Sequence, residues 1–168
     1  MVGVILQNPS NSHSLLPWNV IDPDVWVDTS TDWGVGVVYG HLWAAWRLEL
    51  GWKSDSRDIG WVESVALKLS VLWLTHDRYM YCDITIHSDN TGVIGAFYSH
   101  TCNIPCNESL FHMASYTIPS NITIPPVYVS STLNRADPLS HSIPGQPSLQ
   151  IPEPLQLPAK LESFLSYV

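Results

Sequence analysis

Val25-Trp26-Val27-Asp28-Thr29-Ser30-Thr31-Asp32-Trp33-Gly34 is a short apolar run that ends on a carboxylate and passes into turn residues. Asp28 therefore stands where a strand gives way to a turn. Three more acids occupy settings of the same kind. In residues 61–74, Glu63, Ala66, Leu67, Ser70, Val71 and Leu74 share one helical face by i, i+3, i+4, i+7 spacing, so Glu63 extends an apolar stripe. A carboxylate facing a core is costly unless a cationic group pairs with it. Asp89 follows the strand-like Ile84-Thr85-Ile86-His87-Ser88 and leads through Asn90-Thr91-Gly92 into a further helix. Asp137 lies in Leu133-Asn134-Arg135-Ala136-Asp137-Pro138-Leu139-Ser140, after the β-branched run that ends at Val129.

Working outward, residues 34–39 and 41–50 read as a hairpin turned at Gly40, with Leu42, Ala44, Trp46, Leu48 and Leu50 alternating against His41, Trp43, Ala45, Arg47 and Glu49. With the run before Asp28 they predict three antiparallel strands. A helix over 61–74, a strand over 83–88, helices over 91–98 and 107–116, and a strand over 122–129 follow. Strands first, then alternating helix and strand, point to an α/β domain with helices packed on a mixed sheet. Residues 1–23 are rich in Asn, Ser and Pro and read as a linker, with Pro17-Trp18 docking on the domain that spans 24–142. From 143 to 168, Pro144, Pro147, Pro152, Pro154 and Pro158 predict an extended tail closed by a short amphipathic piece.

The order Asp, Glu, Asp, Asp, with the strings Asp-Thr-Ser-Thr-Asp-Trp-Gly, His-Ser-Asp-Asn and Asn-Arg-Ala-Asp-Pro-Leu-Ser, resembles the ribonuclease H domain that follows the reverse transcriptase in retrotransposon polyproteins, including fungal ones. The resemblance runs from Asp24 to His141. Four acids in family order are more specific than any one of them. The resemblance implies a ribonuclease H-like fold: a mixed five-stranded sheet, its first three strands antiparallel and the later two parallel to strand one, flanked by helices. It also implies endonucleolytic hydrolysis of the RNA strand of RNA–DNA hybrids with two Mg²⁺ ions, Mn²⁺ being a possible substitute, to leave a 3′-hydroxyl and a 5′-phosphate. Asp28 would bridge both ions, Glu63 and Asp89 would complete the leaving-group metal, and Asp137 would hold the metal that activates water. Ser30, Asn90, Thr91 and Asn134 are the candidates for contacts to the substrate, whose RNA strand is told from DNA through its 2′-hydroxyls. The chain departs from many relatives in one place. They carry a His shortly before the last Asp, where this sequence has Val129-Ser130-Ser131-Thr132; His141 lies downstream instead.

Carboxylates suit this chemistry on electrostatic grounds. Phosphodiester hydrolysis places negative charge on both the attacking and the departing oxygen, and a pair of hard cations held by oxygen ligands can stabilise both. Each acid also has a blander reading. Asp28 could open an Asx-type turn, Glu63 could complement a helix dipole in the first turn, Asp89 could be an N-cap, and Asp137 before Pro138 could be another. A catalytically inactive ribonuclease H-like domain, kept as a structural or interaction module beside a reverse transcriptase, is the alternative of a different class. An integrase-like strand-transferring nuclease would show three acids with a different final spacing.

The chain has 168 residues, 45% of them hydrophobic, and eight Trp, enough to bury a sizeable core in one domain. Its net charge of −8, with only seven Lys and Arg scattered through the text, argues against a strong autonomous grip on nucleic acid. A neighbouring reverse transcriptase domain is the expected source of that grip. The segment 1–7 is too short for a signal-peptide core, no stretch reaches membrane-span length, and three cysteines are an odd count, so an intracellular, reduced protein is expected. A zinc site from His100, Cys102, Cys106 and His112 fits no established ligand spacing. Asp32 and Asp83 read as solvated turn acids, and Trp33, Trp43, Trp46 and Trp52 as packing residues before base-stacking ones.

Overall fold

A computed structural model describes residues 19–76, 79–92, 94–95, 104–152 and 157–168. The chain folds as an α/β protein, a mixed sheet flanked by helices. Strand β1 (Asn19–Thr29) pairs antiparallel with β2 (Gly34–Tyr39), which pairs antiparallel with β3 (Leu42–Leu48). Gly40 turns the hairpin with φ +59°, a left-handed conformation that glycine adopts without steric cost. Helix α1 (Ile59–His76) leads to β4 (Cys82–Ser88), which lies parallel to β1 on its other side. Helix α2 (Ile104–Ser120) then precedes β5 (Ile122–Thr123) and β6 (Pro126–Tyr128), both parallel to β4. The short helices α3 (Asp137–Ser140) and α4 (Ala159–Glu162) and strand β7 (Leu165–Tyr167) complete the chain.

Among the described residues seven strands stand where five were expected, for two local reasons. The run 122–129 is not one strand: Pro125 and Pro126 lack ladder N–H groups and divide it into β5 and β6. The second addition is β7, which pairs antiparallel with β3 through Trp46 and Tyr167, Arg47 and Ser166, and Leu48 and Leu165. The end of the Pro-rich stretch, expected as a tail, therefore belongs to the sheet, and the strand order is β5-β4-β1-β2-β3-β7. At the other end β1 begins at Asn19, inside the stretch 1–23 read as linker. It carries a register shift between Ile21 and Val25, where Asp24 takes φ +60°. Pro17 and Trp18 lie outside the described residues. β3 stops at Leu48, and Leu50, expected on the apolar face, is fully exposed in the following turn. The helix expected over 91–98 is helical at Thr91, Gly92, Ile94 and Gly95, and residues 93 and 96–100 lie outside the described ones.

Alternation along the strands divides the interior in two. Val25, Val27, Val35, Val37, Ala44 and Trp46 face the main core with Ile84, Ile86 and the α1 residues Val62, Val65, Ala66 and Leu69. Val38, Trp43 and Ala45 turn the other way and pack with Ala136 and Leu139 of the α3 region, beside Trp26 and Trp33. Helix α1 is buried almost all round because α2 covers the side away from the sheet. Of the four tryptophans above, Trp43, Trp46 and Trp52 are buried and Trp33 is half-buried against the second cluster, so packing is their use. Among the described residues, no helix is long and apolar enough to cross a membrane.

Candidate metal centre

β1 and β4 are parallel neighbours, so Asp28, one residue before the end of β1, and Asp89, one residue past the end of β4, meet at one edge of the sheet. Helix α1 lies against β1 and β2 and brings Glu63 to the same edge, while α3 packs on β2 and delivers Asp137. All four acids line one cleft of about 340 Å³, together with Asn90, Ser131 and His141. Gly36 makes the α3 approach possible. It is the register partner of Asp28 on β2, and a Cβ on it would lie 2.6 Å from Leu139 Cβ and 2.7 Å from the Ala136 carbonyl oxygen.

The bland local duties are carried by neighbours. The Ser30 hydroxyl, not Asp28, accepts the Asp32 N–H in the turn after β1, at 3.2 Å. Asp58, not Glu63, receives the Trp61 N–H at the start of α1, at 3.1 Å, and Glu63 sits beyond the first turn. Ala136, not Asp137, is the N-cap of α3, with Pro138 in the first turn. At the end of β4, Ser88 Oγ accepts the Asn90 N–H at 3.2 Å.

Asp28 and Glu63 are each only 7% exposed. Asn134 Nδ2 donates to Asp28 Oδ1 and to Asp89 Oδ1, both at 3.3 Å, and to the Val27 carbonyl at 3.0 Å. Its own Oδ1 accepts the Ala136 N–H at 3.1 Å. Ser140 donates its hydroxyl to Asp28 Oδ2. Among the described residues no Lys or Arg lines the cleft. Burial first, then the neighbouring Asp89 and Asp137, therefore push the Asp28 carboxyl up to about 7 against the lowering effect of the Ser140 hydrogen bond. Burial and the charges of Asp89, Asp28 and Asp58 push Glu63 up to about 8. The cationic partner that a core-facing Glu63 needs is not supplied by a side chain among the described residues.

Asp28, Asp137 and His141 each offer a ligand atom, and these atoms lie within 4.8 Å of one another, so this cluster could hold a metal ion. His141 Nε2 stands 3.8 Å from Asp137 Oδ1. The sequence placed His141 only as a neighbour, although its i, i+4 relation to Asp137 was a readable signal. The donor set, carboxylate oxygens with one imidazole at the rim, fits a divalent cation, and the uncompensated repulsion inside the cleft is of the kind a cation relieves.

The other expected contacts divide. Asn90 lines the cleft and Thr91 is exposed beside it. Ser30 and Asn134 are 7% and 4% exposed and hold the turn and the acids respectively, so neither presents a free face to a polymer. Asp32 is exposed and Asp83 lies at the far end of β4, where it accepts a hydrogen bond from Thr123. Of the sequence's zinc candidates, His100 and Cys102 lie outside the described residues, and Cys106 is buried. No protein-family model, no curated protein and no solved structure matches the chain.

Proposed function

We propose that the chain is a ribonuclease H-like nuclease that hydrolyses the RNA strand of RNA–DNA hybrids in a divalent-metal-dependent reaction, as part of a retroelement reverse transcription machinery. The observation that carries this reading is the convergence of Asp28, Glu63, Asp89 and Asp137 in one cleft from four separate stretches of sequence. The antiparallel run β1-β2-β3 and the parallel β4 on the other side of β1 agree with the sheet that the resemblance implies.

Asp28, Glu63, Asp89 and Asp137 would hold Mg²⁺ or Mn²⁺, with His141 at the rim beside Asp137. Bound there, such ions supply charge stabilisation at the phosphoryl oxygens and a more acidic attacking water. Asn134 orients Asp28 and Asp89 by donating to both, and Ser140 fixes the second Asp28 oxygen. His141 is placed to exchange a proton with a group near Asp137. With a net charge of −8, grip on the hybrid is assigned to an adjacent reverse transcriptase domain.

Labelled RNA–DNA hybrid, duplex RNA and duplex DNA, each with Mg²⁺ or Mn²⁺, test the reading. Cleavage confined to the RNA of the hybrid and abolished by Asp28→Asn and by Asp89→Asn is expected. Cleavage that survives both substitutions rejects the ligand assignment. A second reading, an inactive module, draws on the fact that both Asp28 oxygens already carry protein hydrogen bonds. A folded chain that cuts none of the duplexes, even with the reverse transcriptase added, favours that module.

A further inference from the structure

Helix α1 carries a second buried ionisable group that the proposed reaction does not use. Lys68 is 6% exposed, and no hydrogen bond or ion pair is made to it among the described residues. It lies five positions from Glu63, about 140° around the helix, and so faces away from the acidic cleft. There it lines a groove of about 1210 Å³ between α1, α2 and the α4 region, together with His112, Lys160, Arg57 and Glu108.

Lys68 is enclosed along its stem while its head lines the groove, and an ammonium partly withdrawn from water without a partner is unfavourable; here the neighbours add to the penalty. Burial and the like charge of Lys160 hold Lys68 below its ordinary value, with only Glu108 opposing them. Burial, then Lys68, then Lys160 lower His112 in the same way. The His112 Nδ1 atom is buried with no hydrogen-bond partner. Arg57 is already committed: it donates to the Trp52 carbonyl at 2.7 Å, pairs with Asp55 at 3.1 Å and stacks on Phe164 at 4.1 Å. Glu108 reaches Lys160 at 3.7 Å on the exposed rim and leaves the deeper Lys68 unpaired. A chain with a net charge of −8 thus gathers three mutually repelling basic groups, from three different helices, in one groove.

We propose that this groove binds a phosphoryl anion through Lys68, Lys160 and His112. Donors supplied to one groove by three elements suit a tetrahedral oxyanion with several oxygens better than a planar carboxylate with two. The groove exceeds the needs of a lone ion, so the phosphoryl group can belong to inorganic phosphate or to a small phosphate ester such as a nucleoside monophosphate. This inference does not depend on the nuclease reading.

Amide NMR spectra of the full chain in EDTA, which keeps cations from carrying phosphate to the acidic cleft, provide the test. Inorganic phosphate and adenosine monophosphate are titrated separately against chloride at matched ionic strength. Saturable shifts at Lys68, His112 and Lys160 with either phosphate, absent with chloride, are expected. Shifts with both mark the phosphoryl group itself as the determinant, and shifts with the nucleotide alone mark the ester. Lys68→Met should weaken binding about tenfold or more and raise the unfolding midpoint. Should that variant not fold, Lys160→Gln, altering an exposed side chain, carries the same comparison. No saturable shift, an equal response to chloride, or unchanged affinity in the variant overturns the site. So does a response to a single-stranded oligonucleotide but to neither small anion.

Discussion

Gly36 stands directly across the β1–β2 ladder from Asp28, and the absence of its side chain is what allows the Ala136 to Ser140 backbone to rest on β2. A Cβ there would meet Leu139 Cβ first, then the Ala136 carbonyl and the Ser140 amide nitrogen, backbone atoms that cannot swing aside as a flexible side chain would. Gly36→Ala is therefore expected to destabilise the chain by about 1–3 kcal/mol through overpacking. It should also weaken divalent-ion binding, because Asp137 and Ser140 move away from Asp28. Urea unfolding and calorimetric titration with Mn²⁺ check both, and an alanine variant unchanged in both would show that α3 is not held by this contact.

Asn134 joins two carboxylates that repel each other, so its loss should be felt in ion affinity before it is felt in folding. Asn134→Ala is expected to weaken Mn²⁺ binding by about 10-fold to 100-fold, the range for residues that orient metal ligands. Residual cleavage at saturating ion should persist, whereas Asp28→Asn should leave none. Equal loss in the two variants would make Asn134 a ligand in its own right.

Without divalent ions, stability should fall as pH rises. Asp28 and Glu63 have folded-state values of about 7 and about 8, both above their ordinary carboxylate values, so the folded state binds more protons than the unfolded one in between. The stabilising contribution of these protonated acids is complete below their unfolded-state values and is lost as pH passes through the folded-state values. The thermal midpoint in EDTA should therefore drop between about pH 5 and about pH 8. Mg²⁺ or Mn²⁺ should recover it most at the alkaline end, with release of protons on binding. A midpoint in EDTA that rises over that interval would contradict the electrostatics assigned to the cleft.

Strand β7 should be structural. Leu165 is 4% exposed in the main core and pairs with Leu48, so Leu165→Ala is expected to cost about 2–4 kcal/mol in urea unfolding. Removing residues 163–168 should expose the outer edge of β3, including Trp46, and promote association. A truncated chain that stays monomeric with an unchanged midpoint would show the strand to be dispensable.

Periodicity located the hairpin, α1 and β4 because their apolar residues repeat at the strand or helix period over enough positions to be read. Leu165-Ser166-Tyr167 is too short to announce a strand, and its pairing with β3 is a contact across more than a hundred residues that no local pattern encodes. Pro125 and Pro126 are breakers present in the sequence, and the expected strand over 122–129 ran across them. At the site, the four acids were legible through their positions at strand and helix ends. Asn134 was read as reaching outward, because a sequence does not reveal that an amide is buried between two carboxylates. Lys68 passed as one more scattered cation for the same reason: only the packing of α2 and the α4 region shows that it is enclosed.

Helix α1 separates opposite charges: Glu63 belongs to a basin of carboxylates on one side and Lys68 to a group of cations on another. The molecule is thereby polarised across its own width. A polyanion diffusing toward it in the absence of divalent ions would be turned away from the acidic end and drawn to the basic one, and loading the basin with cations would reverse that bias. Ionic composition can then govern the orientation of encounter as well as any chemistry that follows.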